Sequence, residues 1–112
     1  MKLFLFLSGF AMAAALPRHD IERAVRGYIN AETKKTDGQF LVDDKVMHRV
    51  RRLTLSAIPN KRIVSIEDGH ALVCADFRDK NGDRVDVDFY LTHDRIEKIQ
   101  IHRVNGKLRQ EE

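Results

Sequence analysis

The hydrophobic pattern changes character twice along the chain, and each change marks a boundary. Leu3 to Ala15 is an uncharged, apolar run behind Lys2, ending in small residues with Ala13 and Ala15 in an A-x-A arrangement. A positive start, an apolar middle and a small-residue end are the parts of an export signal, so residues 1–15 are expected to be removed and the mature chain to start at Leu16. The run is shorter than the roughly 20 apolar residues that span a bilayer. From residue 21 the apolar positions are Ile21, Ala24, Val25, Tyr28 and Ile29, a stripe at helical spacing, with Glu22, Arg23, Arg26 and Asn30 opposite. Asp20 is the expected N-cap, Lys34 and Lys35 suit the negative end of the helix dipole, and Asp37-Gly38 is the expected stop. Gly27 costs a helix interior about 1 kcal/mol against alanine, a cost that close approach of the helix to a sheet would justify.

Beyond Gln39 the period becomes two. Strands are expected over Gln39–Asp43, Arg52–Ile58, Arg62–Glu67, Ala71–Asp79, Arg84–Thr92 and Arg95–Val104, punctuated by Pro59-Asn60, Asp68-Gly69, Asn81-Gly82 and His93-Asp94. The polar tail from Gly106 is expected to fray, with 108–112 disordered. One hairpin can be read to its register. A two-residue loop at Asn81-Gly82 would set Phe77 against Asp86. The three-residue loop Lys80-Asn81-Gly82, with glycine in the left-handed position, pairs Asp79 with Asp83 instead. It then matches Phe77 with Val85, Ala75 with Val87, Val73 with Phe89 and Ala71 with Leu91. A slip of one residue would turn one strand's apolar set to the wrong face, so the second register is the expected one.

A helix followed by antiparallel strands gives a two-layer α+β domain over 16–107, one N-terminal helix on a curved sheet of four to six strands. The stretch Ala75-Asp76-Phe77-Arg78, with Asn81-Gly82-Asp83, Asp86-Val87-Asp88-Phe89-Tyr90-Leu91 and Ile101-His102-Arg103-Val104-Asn105-Gly106-Lys107, resembles a family of small exported bacterial proteins of unknown function. The layout over residues 20–107 is similar to the cystatin-like and NTF2-like folds. That resemblance implies a fold and no catalytic motif. True cystatins use a Q-x-V-x-G wedge and a Pro-Trp hairpin; the chain has neither, and no tryptophan, so protease inhibition is not implied.

The other face of the hairpin holds the candidate chemistry. There Asp76 opposes Asp86, Arg78 opposes Arg84, Cys74 opposes Asp88 and Leu72 opposes Tyr90. Like charges placed directly opposite each other are unfavourable, so diagonal Asp–Arg contacts, or Lys98 or His102 from the next strand, are expected to offset them. Close carboxylates can also share a proton and act as an acid/base pair, which makes Asp76 and Asp86 the residues of an enzymatic alternative. Arg49, Arg51, Arg52, Lys61 and Arg62 concentrate positive charge around one strand and its turn. No aromatics interleave them for base stacking, and they read as a solvated edge that discourages aggregation.

The 112 residues include 20 Lys+Arg and 17 Asp+Glu, a net +3. Lys2 is the only charge in the leader, so the remainder carries +2, a mixed surface that does not demand a polyanion. Cys74 is the single cysteine, inside an apolar strand pattern; it reads as a small packed side chain, with an intermolecular disulfide as the alternative. His19, His48, His70, His93 and His102 form no H-x-x-x-H or H-x-H pair, so no metal and no cofactor is expected. These readings converge on a soluble, exported, non-catalytic binding or interaction module in the periplasm or outside the cell, monomeric or weakly dimeric. Its partner would be a protein or small molecule of the cell envelope, not nucleic acid, and no stable membrane anchor is expected. The candidate binding residues are Asp76, Asp86, Asp88 and Tyr90 on the sheet face, then Arg51 and Arg52. The rival reading is an NTF2-like small-ligand binder with a hollow between Tyr28 and the sheet.

Overall fold

The computed structural model describes residues 16–109. The expected leader (1–15) and residues 110–112 lie outside the described part of the chain. Helix α1 runs Arg18–Lys34. It begins two residues before the expected cap, because the Pro17 carbonyl accepts the backbone N–H groups of Asp20 and Ile21 at 3.0 and 3.1 Å. Asp20 therefore lies in the first turn, where a carboxylate still favours the helix dipole. Ile21, Val25 and Ile29 are the buried stripe. Gly27 is exposed, and a Cβ built there meets no atom within 4 Å, so close packing on the sheet does not explain it.

The strands are β1 (Phe40–Asp44), β2 (Arg49–Ala57), β3 (Ile63–Ile66), β4 (His70–Asp79), β5 (Arg84–Thr92), β6 (Arg95–Val104) and β7 (Lys107–Leu108). They form one antiparallel sheet of seven strands, more than the four to six expected, in the order β1-β2-β4-β5-β6-β7 with β3 also on β4. The extra strand is β7, which an Asn105-Gly106 turn folds back onto β6. The polar tail thus does not fray at Gly106: the Arg109 N–H also donates to the His102 carbonyl at 2.8 Å. β2 and β3 lie along the same side of β4, joined through Pro59 and the short 3-10 turn Asn60–Arg62.

The β4–β5 hairpin has the expected register, Phe77 to Val85, Ala75 to Val87, Val73 to Phe89 and Ala71 to Leu91. Gly82 takes φ +93, the left-handed conformation this loop requires, and its N–H closes the turn on the Asp79 carbonyl at 2.9 Å. The apolar set of this hairpin faces α1 and is fully buried with Leu53 and Ile101. Phe40 stacks on Phe77 at 5.4 Å between ring centroids and meets Tyr28 edge-on at 6.1 Å. Phe40 thus occupies the space between Tyr28 and the sheet, where the small-ligand reading places a hollow. Full burial of each such ring is worth about 2–3 kcal/mol. No helix among the described residues is long and apolar enough to cross a membrane.

Candidate functional site

The face of the sheet turned away from α1 carries rows of side chains set by strand register, and three of them hold the candidate residues. The first is Val64, Leu72, Tyr90 and Lys98; the second includes Cys74, Asp88 and Gln100; the third includes Asp76, Asp86 and Arg103. Alternation puts these residues outward because their neighbours Val73, Ala75, Val85, Val87 and Phe89 must face the core. Asp76, Asp86, Asp88 and Tyr90 are therefore brought together on one surface.

The like-charge contact between Asp76 and Asp86 is offset from outside the hairpin. Arg62 Nη1 lies 2.8 Å from Asp76 Oδ1 and 4.0 Å from Asp86 Oδ2. Burial, then the Asp76 carboxyl beside it, raises the pKa of Asp86. With Ser56, Phe77, Arg78 and Arg84, these three residues line a cleft of about 180 Å³. Arg62 belongs to the basic run of the sequence; its role here follows from the Pro59 turn, which swings it over β4.

His102 contacts the next carboxylate. Its Nδ1 lies 3.0 Å from Asp88 Oδ2, while the Asp88 side chain keeps only 9% of its exposure. Burial pushes the Cys74 thiol up to about 12, and the charge of Asp88 and a hydrogen bond to it act in the same direction. This thiol is a packed donor and a poor nucleophile at neutral pH. Lys98 takes another role, its Nζ 5.5 Å above the centre of the Tyr90 ring, a cation–π contact. A second groove, of about 290 Å³, runs beside Asp88 and His102 with Val64, Leu72 and Cys74 as its apolar floor and Lys61, Arg62 and Arg103 at its rim. Among the described residues, no group of three His, Cys, Asp or Glu side chains has the geometry to hold a metal ion.

Arg51 and Arg52 are not part of this surface. Arg52 is exposed near the β1–β2 hairpin and bonds Gln39 Oε1 at 3.4 Å. Arg51 points to the helix side and is 2% exposed, which overturns its reading as part of a solvated basic edge. Its Nε reaches Asp44 Oδ2 at 2.7 Å, and its Nη1 reaches Asp79 Oδ2 at 2.6 Å and Asp83 Oδ2 at 3.1 Å. Arg109 closes the network with 2.8 and 3.3 Å bonds to the two Asp44 oxygens. Asp44 Oδ1 also accepts the backbone N–H groups of Val46 and Met47, which fixes the β1–β2 turn. Burial opposes the Asp44 charge, but the bonds from Arg109, Arg51 and Met47 outweigh it and hold the carboxyl well below the usual range. This cluster is a structural lock.

Sequence reasoning missed the lock although a signal was present. Asp44, Arg51 and Asp79 keep phase with the core residues Phe40 and Val42, Leu53, and Phe77 of their own strands. Comparison of the chain with protein-family models, with curated proteins and with solved structures finds no match.

Proposed function

We propose that this chain is an exported, non-catalytic binding module of cystatin-like or NTF2-like build, which engages a partner in the cell envelope through the outer face of its sheet. The observation that supports this reading is the contrast between the two faces. The helix side is filled by Phe40, Phe77 and Phe89, whereas the outer side keeps a groove with an apolar floor of Val64 and Leu72, a basic rim of Lys61, Arg62 and Arg103, and Asp88 beside it. Apolar contact with a charged border is how protein-recognition surfaces combine affinity with selectivity. The test is a photo-reactive amino acid placed at Leu72, in cells that make the protein natively. Cross-links to one envelope protein, lost on Asp88→Asn or His102→Ala and absent from a probe at Asn30 on the outer face of α1, support the reading. Equal labelling at Leu72 and Asn30 refutes it. Recovery of the protein from the envelope fraction with Leu16 as its first residue tests export.

A second reading, an acid/base site, is favoured by the raised pKa of Asp86 beside the Asp76 carboxyl. Carboxyl NMR titration decides it: ionisation of Asp86 at or below an ordinary aspartate pKa removes its basis.

A further inference from the structure

Among the described residues, β3 pairs with β4 on one side only and no strand pairs with its other edge. Edge strands are commonly protected by charge along their length, but here Val64 and Ile66 keep 47% and 41% of their exposure. The charges lie instead at the two ends, Lys61 and Arg62 before the strand and Glu67 and Asp68 after it. Such a strand is polarised from positive to negative. Parallel stacking of two copies would bring like charges together; antiparallel stacking brings opposite charges together at both ends.

We propose that β3 is a self-association edge, on which a second copy of this chain adds its own β3 antiparallel to extend the sheet. The register follows from alternation, as it does for the β4–β5 hairpin. A twofold axis perpendicular to the sheet must pair residues of the same face, so allowed registers centre on a single residue. Centred on Val64, the pairing sets Arg62 against Ile66 of the second copy, a charge on an apolar side chain. Centred on Ser65, it sets Val64 against Ile66 of the second copy twice over, sets Arg62 against that copy's Asp68, and leaves Lys61 diagonal to its Glu67 on the same face. It also sets Ile63 against Glu67, but Ile63 is buried in its own subunit, so the second arrangement wins. Ser65 Oγ already donates to the Leu16 carbonyl at 3.2 Å, so its side chain is satisfied within its own subunit. The apolar row Tyr90, Leu72 and Val64 then continues across the axis to Ile66 of the second copy.

Four residues make a short edge, so the dimer is weak and concentration-dependent, and a covalent link plays no part. The experiment is sedimentation equilibrium of the purified protein, with and without reductant, from micromolar concentration to about 1 mM. A reversible monomer–dimer equilibrium that ignores reductant is expected. Val64→Lys should raise the dissociation constant at least about tenfold, since each substitution counts twice across the axis, while thermal unfolding of the monomer stays unchanged. Lys61→Glu alone and Glu67→Lys alone should each weaken the dimer several-fold, and the two together should restore it. A monomer at every concentration, a dimer that dissociates on reduction, a dimer indifferent to Val64→Lys, or a charge swap that fails to restore association each overturns the proposal.

Discussion

Replacing Arg51 with methionine retains most of the buried volume and deletes the charge at the centre of the lock. Its neighbours lose unequally. Asp44 keeps both bonds from Arg109 and two backbone N–H groups. Asp79 keeps the Asn81 N–H at 3.0 Å on Oδ1, but on Oδ2 it is left with Arg49 at 4.0 Å. Breaking a buried ion pair by removing one member costs about 3–5 kcal/mol, and the surviving bonds to Asp44 place this case near 3. For a domain of this size that is a fall in Tm of about 12–24 °C. Urea unfolding at pH 7 measures it directly. The pH dependence separates an orphaned charge from simple loss of packing. In the natural protein the depressed Asp44 carboxyl contributes stability above its unfolded value of about 3.9, and that stability is lost as pH falls through the lower folded value. In Arg51→Met, burial with only the distant Arg49 as counter-charge disfavours the Asp79 carboxylate, so the folded variant takes up a proton before the unfolded chain does. Its deficit should therefore shrink as pH falls from 7 towards 4.5, and Asp79→Leu added to Arg51→Met should recover part of the loss. A deficit below about 1 kcal/mol at pH 7, or one that does not change with pH, would refute this account of the network.

Gly27→Ala should stabilise the fold by about 1 kcal/mol, because the helix gains propensity and the new methyl meets open space; a thermal melt checks it. Cys74 should react with iodoacetamide at pH 8 roughly three orders of magnitude more slowly than a free thiol, and at the ordinary rate once unfolded, as mass spectrometry of timed samples will show. Gly69→Ala should cost about 1–2 kcal/mol in urea unfolding, since Gly69 has φ +76 and an added Cβ would lie 2.7 Å from the His93 ring.

The β4–β5 hairpin was legible because two independent signals agreed there. Strict alternation fixed the faces, and the Lys80-Asn81-Gly82 loop fixed the register. Opposition of Asp76 to Asp86 followed from the same two signals; the pattern supports His102 and Lys98 only as general offsets to the like charges and does not single out the pairing of His102 with Asp88. Arg62 was not legible as a companion of Asp76, because its position depends on the path of the Pro59 turn rather than on any period. Arg51 was misplaced for a different reason. Charged residues belong to the surface on average, and composition alone groups Arg51 with Arg49 and Arg52. Phase argued otherwise: Arg51 alternates with Leu53 on β2, and acidic residues stand at the matching ends of β1 and β4 and just before β5. The helix start was missed by three residues because Asp20 is a good cap by type, whereas Pro17 supplies the first acceptor by geometry.

The bond from Arg109 to Asp44 spans 65 residues of sequence. A contact of that separation carries a large loop-closure cost and is a poor candidate for the folding nucleus. The β4–β5 hairpin, closed by a three-residue loop, can form long before it. The clasp is thus expected to be absent from the transition state and to act on the unfolding barrier alone. Under that order of events Arg109→Ala leaves the refolding rate unchanged and speeds unfolding, so the C-terminal strand governs how long the folded chain lasts rather than how quickly it forms.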